Sequence, residues 1–124
     1  MTAKDATDTF INHFKKPGTA ALYDKQIGGV TTAIAKDIIS SYLKSNFLEG
    51  KTILDNACGT GAVTKEILSR ASNVKIEAAD IAEPMVNYLR DTIATPNDAK
   101  KVTTAVMDGQ VDLLLLLTVG IDIC

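Results

Sequence analysis

Lys51-Thr-Ile-Leu-Asp-Asn-Ala-Cys-Gly-Thr-Gly-Ala-Val-Thr-Lys-Glu-Ile-Leu68 decides the fold of this chain. A short apolar run, Ile53-Leu54, ends in a carboxylate at Asp55. Small residues follow at Ala57, Gly59 and Gly61, and then an amphipathic segment carries Ala62, Val63, Ile67 and Leu68. That order describes a buried strand, a tight turn and a helix whose N-terminus faces the strand's carboxyl end. Backbone N–H groups and the helix dipole converge in such a crevice, which suits nucleotide-like ligands. Without a Cβ, glycine lets the backbone turn sharply and lie close against a ligand.

Downstream, the strand-then-helix pattern repeats. Val74 to Ala79 alternates and reads as a second strand closed by Asp80. Glu83-Pro84 opens a helix with Met85, Val86, Leu89 and Ile93 on its buried face. Thr95 to Asp98 reads as a loop, and Val102 to Met107 as a third strand ending in Asp108-Gly109. Upstream, Asp5 to Phe14 predicts a short helix with Phe10, Ile11 and Phe14 on one side, broken at Pro17-Gly18. Ala20 to Ile27 predicts another, stopped by Gly28-Gly29. From Val30 onward Ala33, Ile34, Ile38, Ile39, Tyr42 and Leu43 recur at helical spacing, and Asn46 to Gly50 ends that helix. Strands alternating with helices imply right-handed crossovers and a parallel sheet. The expected fold class is α/β, a Rossmann-like parallel sheet with flanking helices.

Asp55, Asp80 and Asp108 each fall where a predicted strand ends, and parallel strands bring those ends to one edge. Three carboxylates there repel each other unless a ligand uses them. Asp80 follows the glycine turn at the spacing from which an acid reaches ribose hydroxyls. Solvated strand ends are the plain alternative for each acid taken singly.

The glycine turn resembles motif I of the class I S-adenosylmethionine-dependent methyltransferases, through Asp55, Ala57 (where the family more often has glycine), Gly59 and Gly61, with Cys58 inside the turn. Asp80 with Ile81 and Met85 is similar to motif II, and Asp108-Gly109 to the motif after the third strand. The resemblance implies S-adenosylmethionine as cofactor, contacted by these ten residues. Asp80 would hold the ribose, Ile81 and Met85 would flank the adenine, and Asp108 would accept from its amino group. Asp55 would suit the ligand's cationic amino-acid end. The resemblance also offers Tyr23 as a lid over the cofactor; an ordinary packing tyrosine stands equally beside that. A dinucleotide site fits less well. Its Gly-x-Gly-x-x-Gly pattern would need glycine where Thr64 stands, and Asp55 would repel a pyrophosphate.

Composition bounds the function classes. The chain has 124 residues, 46% hydrophobic, with net charge −2, which fits one small folded domain and gives no basic footprint for nucleic acid. The two cysteines, Cys58 and Cys124, lack metal-site spacing, so no metal is expected. His13 is the single histidine, on an amphipathic segment, and reads as a surface residue. Cys58, with no histidine near it in sequence, reads as a small turn residue rather than a nucleophile. Leu113 to Ile121 is well short of the roughly 20 residues that span a bilayer. The polar start, Met1 to Asp8, is no secretory signal, so a soluble cytoplasmic protein is expected.

The resemblance runs from about Val30 to Gln110, giving three segments: a helical cap over 1–29, a cofactor-binding half-domain over 30–110 and an apolar tail over 111–124. A complete member of the family has more strands, so the expected fold is an incomplete class I one. Two readings of the tail stay open: a fourth strand opening at Asp112, or foreign sequence from a frameshift or unspliced intron, which the leucine run favours. The expected function is a methyltransferase acting on a small molecule, with no catalytic residue assignable. The alternatives are a non-catalytic fragment that binds cofactor or pairs with another chain through an open sheet edge, and a nicotinamide-binding module.

Overall fold

The computed structural model describes residues 1–43, 45–109 and 122–123. Chain order runs α1 (Ala3–Phe14), α2 (Thr19–Tyr42), α3 (Ser45–Leu48), β1 (Thr52–Asn56), α4 (Ala62–Arg70), β2 (Lys75–Asp80), α5 (Glu83–Thr92), α6 (Pro96–Ala99), β3 (Val102–Val106) and β4 (Asp122–Ile123). The strands form one parallel sheet in the order β3-β2-β1-β4. In register, Asp55 pairs with Ala78 and Asp80 with Val106, so the expected strand ends share one edge.

The core lies between the sheet and α2, α4 and α5. Ile53, Ile76 and Ala78 from the strands pack with Ile39, Leu48, Ile67, Val74 and Leu89. Ile67, Leu89 and Leu48 are fully buried, each such side chain contributing on the order of 1.5–3 kcal/mol of transfer free energy. On α5, Met85, Val86 and Leu89 are buried as the sequence spacing predicts, and Pro84 sits in the first turn, where a missing N–H costs little.

Three local expectations are corrected. The loop read over Thr95 to Asp98 contains the short helix α6, capped by the Thr95 side chain accepting from the Asp98 N–H. The Asn46 to Gly50 stretch, read only as a helix end, contributes to α3. The stop at Gly28-Gly29 is absent: α2 runs unbroken for 24 residues across the boundary placed at 29/30. Helical glycine costs about 1 kcal/mol relative to alanine, less than a long packed face returns. At Gly28 the glycine is also needed, because an added Cβ would collide with the Asp24 carboxylate lying back along the helix.

The buried face of α2 differs from its apolar spacing as well. Ala20, Gly28, Ala35 and Ile39 are buried, while Val30, Ile34 and Ile38 stand 61%, 53% and 48% exposed. Small residues face inward because α2 packs directly on α4 and α5, and small side chains let helices approach closely. Asp112 and Leu113 to Leu117 lie outside the described residues. Asp122-Ile123 pairs with Ile53-Leu54 and supplies the strand beside β1.

Gly61 is fixed by two constraints. Its φ is +91°, in the left-handed region, and a Cβ there would strike the Leu89 side chain of α5. Gly50 has φ +75° with open space around it. Gly61→Ala should therefore cost about 2–4 kcal/mol, from left-handed strain plus overpacking, and Gly50→Ala only about 1 kcal/mol. Urea denaturation of the two variants beside the wild type checks the order.

Candidate functional site

The turn between β1 and α4 is pinned by backbone and side-chain bonds. The Cys58 N–H donates to the Ala79 carbonyl (2.9 Å), and the Gly61 N–H to the Cys58 carbonyl (2.9 Å). The Asp80 carboxylate reaches across from β2: Oδ2 accepts from the Gly59 N–H and Oδ1 from the Ala82 N–H, both at 2.9 Å. Asp55 lies beneath the turn. Its Oδ2 accepts from the Thr64 N–H (3.1 Å) and the Thr64 hydroxyl (2.6 Å), capping the first turn of α4 from the adjoining strand. These two acids are thus held by the protein's own donors, which relieves the repulsion expected between strand-end carboxylates.

Ala57 is the non-glycine residue with positive φ, +59°, among the described residues. It stands where the related motif more often carries glycine, and the left-handed backbone explains that preference. At Gly59 (φ +54°) an added Cβ would meet nothing within 4 Å, so its open side faces the crevice. Gly109 is tighter: a Cβ there would collide with the Asn56 side-chain amide at the end of β1.

Burial pushes the Asp55 carboxyl up, against the hydrogen bonds from Thr64 that pull it down, and the Asp80 charge adds to the rise. Cys58 is buried, and burial, then the Asp55 and Asp80 charges, push its thiol up to about 12. A thiol so protonated is a poor nucleophile, in keeping with its reading as a small turn residue.

Ten site residues were expected, and most line one branched crevice. One lobe, about 330 Å³, is walled by Asp80, Ile81, Met107, Asp108 and Gly109. A second, about 260 Å³, lies between the turn and α2, against Asp55, Cys58, Gly59, Thr31, Ile34 and Ile38. A third, about 290 Å³, sits under α1 and includes Gly59, Asp80, Ile81 and Met85. Ala57 lines all three. Gly61 is buried behind the turn and serves packing instead. His13 is exposed, as expected.

Several contributors carried no sequence signal. Asp24 accepts from the Tyr88 hydroxyl (2.8 Å) and the Thr60 hydroxyl (3.4 Å), tying α2 to α5 and to the turn. The bond to Asp24 raises the Tyr88 hydroxyl, and burial lowers the nearby Lys65 ammonium despite the Asp24 charge. Thr64 and Asn56 were likewise missed as partners of Asp55 and Gly109. Tyr23 is half-buried against Phe14 and the Ala82–Met85 cluster and lines the third lobe, so packing and lining coincide in one residue.

A family model described as a methyltransferase domain matches residues 53–118. The chain belongs to the methyltransferase-domain family. It is 37% identical over 67 residues to malonyl-[acyl-carrier protein] O-methyltransferase of Acetivibrio thermocellus, covering 52% of this chain and 24% of that protein. It is 40% identical over 78 residues to methyltransferase afvD of Aspergillus flavus, covering 57% of this chain and 29% of that protein. The chain therefore spans about a quarter of the length of the curated relatives it matches. Among solved structures, magnesium protoporphyrin IX methyltransferase from Synechocystis, with S-adenosylmethionine bound, superposes with a TM-score of 0.62 at 16% identity, covering 82% of this chain and 53% of that one. Phosphoethanolamine N-methyltransferase 1 of Haemonchus contortus gives 0.58 at 22% identity, covering 88% and 23%. The fold is that of the class I S-adenosylmethionine-dependent methyltransferases, incomplete among the described residues. The family match also reaches residue 118, beyond the Gln110 where the resemblance was expected to stop.

Two variants probe this geometry. Ala57→Gly removes left-handed strain at the cost of backbone entropy and should raise stability by about 0.5–1 kcal/mol in chemical denaturation. Asp55→Asn keeps an oxygen for Thr64 while removing the buried charge. The folded state holds the Asp55 proton more tightly than the unfolded chain. The charge penalty is thus absent below the ordinary value of 3.8 and complete only above the raised folded value. The stability of Asp55→Asn relative to wild type should rise with pH across that window, and a flat difference between about pH 3 and pH 7 would contradict the assignment.

Proposed function

We propose that this chain binds S-adenosylmethionine in the crevice between the glycine turn and Asp80, and that it carries the cofactor-binding part of a methyltransferase acting on a small molecule. The observation that carries the reading is the Asp80 carboxylate. It lies where two lobes meet, held on Gly59 and Ala82, with carboxylate oxygens that retain capacity for ribose hydroxyls. The open side of Gly59 fits the close approach of a ligand backbone.

In this reading the adenosine occupies the lobe of Asp80, Ile81, Asp108 and Gly109, and the amino-acid end lies toward Asp55, Ala57 and Cys58. Met85, expected beside the adenine, lines the lobe under α1 instead and packs with Ala20 and Ala82. When bound, the cofactor supplies a methyl group made electrophilic by its sulfonium. The chain's own residues orient that ligand and exclude water from it. The name of one curated relative, malonyl-[acyl-carrier protein] O-methyltransferase, supports methyl transfer to an acceptor other than nucleic acid. The net charge of −2 agrees.

The three-part division stands as an expectation refined by the fold: α1 and the first part of α2 cover the crevice, and 30–110 carries the motifs. The family match through residue 118 and the pairing of Asp122-Ile123 support the tail as family sequence rather than foreign sequence. The stretch matched to each curated relative is about a quarter of that relative's length, so methyl transfer by this chain is proposed here on its own residues, and with it self-association through an open sheet edge. No helix among the described residues is long and apolar enough to cross a membrane. A free buried thiol suits a reducing compartment such as the cytoplasm.

Calorimetry with S-adenosylhomocysteine and NAD side by side tests the assignment. S-adenosylhomocysteine should bind and NAD should not; the reverse would restore the nicotinamide reading. Asp80→Ala should weaken binding by about 1.5–3 kcal/mol, and Asp80→Asn should recover part of that through its remaining oxygen. If both variants bind like the parent, Asp80 is a structural staple alone.

A further inference from the structure

The three lobes of the crevice differ in chemistry. The lobe of Asp108 and Gly109 and the lobe of Asp55 and Thr60 carry polar groups that suit an adenosine and an amino-acid end. The third, under α1, is lined by Phe10, Ile11, Phe14, Tyr23 and Met85, with Asp80 as its charged member. Both Asp80 oxygens already accept backbone N–H bonds, and no lysine or arginine lines this lobe. All three lobes meet at Ala57. A donor laid through the first two would pass its middle, the sulfonium, across that junction, where the third lobe opens.

We propose that the α1 lobe receives the methyl acceptor, and that this acceptor is a neutral, apolar ring compound of the phenol type. This rests on the donor reading above. The aromatic walls are arranged for a flat guest. Phe10 and Phe14 meet edge to face at 4.9 Å between centroids, and Phe14 and Tyr23 at 5.7 Å, so a ring inserted beside them extends an existing stack. Phe10 is 66% exposed on α1, a large apolar face that such a guest would cover. A carboxylate guest would enter an apolar lobe whose lining holds no lysine or arginine to pair with it and has the Asp80 carboxylate at its base. A cationic amine would face the donor's own sulfonium at the junction, and in the donor reading the acceptor capacity that Asp80 retains is taken by ribose hydroxyls. The volume, about 290 Å³, suits a guest of one or two rings.

The test is calorimetry on the full chain with three guests sharing one ring system: naphthol, naphthoate and naphthylmethylamine, each with and without saturating S-adenosylhomocysteine. Naphthol should bind at least about tenfold more tightly than naphthoate, reflecting the unpaired charge. Phe10→Ala, on an exposed face where folding is not at stake, should weaken naphthol by about fivefold, the worth of one edge-to-face ring contact, and leave S-adenosylhomocysteine unchanged. Phe14→Leu, which keeps apolar volume but removes a ring, should do the same. Naphthoate or the amine binding as tightly as naphthol would overturn the acceptor class. Both substitutions weakening S-adenosylhomocysteine in step with naphthol would overturn the lobe's assignment and give it to the donor. If S-adenosylhomocysteine binds and naphthol does not, the acceptor lobe fails and the donor site stands. If S-adenosylhomocysteine fails to bind the wild-type chain, the donor reading fails, and the acceptor role with it.

Discussion

Two carboxylates hold the turn on which the rest of this structure depends. Asp80 reaches from β2 to the Gly59 and Ala82 amides, and Asp55 reaches from β1 to the first turn of α4. Each spans two elements, so the strand order, the start of α4 and the entry into α5 are fixed relative to one another at a single point. A charge-assisted bond to a backbone N–H is roughly twice as strong as a neutral one, and both sets lie where water is partly excluded. The acids at this edge are structural first, and any ligand role is built on that.

Around this point the N-terminal helices act as a wall. Asp24 binds Tyr88 and Thr60, so α2 is fastened to both the turn and α5. At its far end Ser40 accepts from Arg70 of α4 at 2.7 Å, and Ile39 enters the core. α1 is held more lightly, with no fully buried residue, and its aromatic side chains contribute lining instead of core. Stability and site are therefore divided between two helices: one anchors, the other covers.

The strands and the helices flanking them were legible in the sequence because their signals are local. Alternation marks Lys75–Asp80, a proline and an apolar stripe mark Glu83–Thr92, and glycines mark the turn. The position of Asp55, Asp80 and Asp108 at one edge followed from parallel pairing alone. The orientation of α2 did not follow, because the large apolar residues Val30, Ile34 and Ile38 misrepresent a helix that packs through Ala20, Gly28 and Ala35. Its continuity through Gly28-Gly29 was hidden for a related reason: the glycine accommodates an Asp24 carboxylate whose partner, Tyr88, lies 64 residues away. The Asn56–Gly109 approach is similarly long-range, and the Asp55–Thr64 bond joins residues that only the fold brings face to face.

The bonds within the turn have a kinetic consequence. Gly59 and Ala82 already have acceptors on Asp80, and Cys58 has one on Ala79, so the loop does not wait for a ligand to give it shape. A guest then encounters a formed surface and loses little in ordering it. Arrival should be governed by diffusion and orientation, much the same for every guest of similar size. Discrimination between guests would rest on departure, in residence times set by the few contacts each one makes at the junction around Ala57.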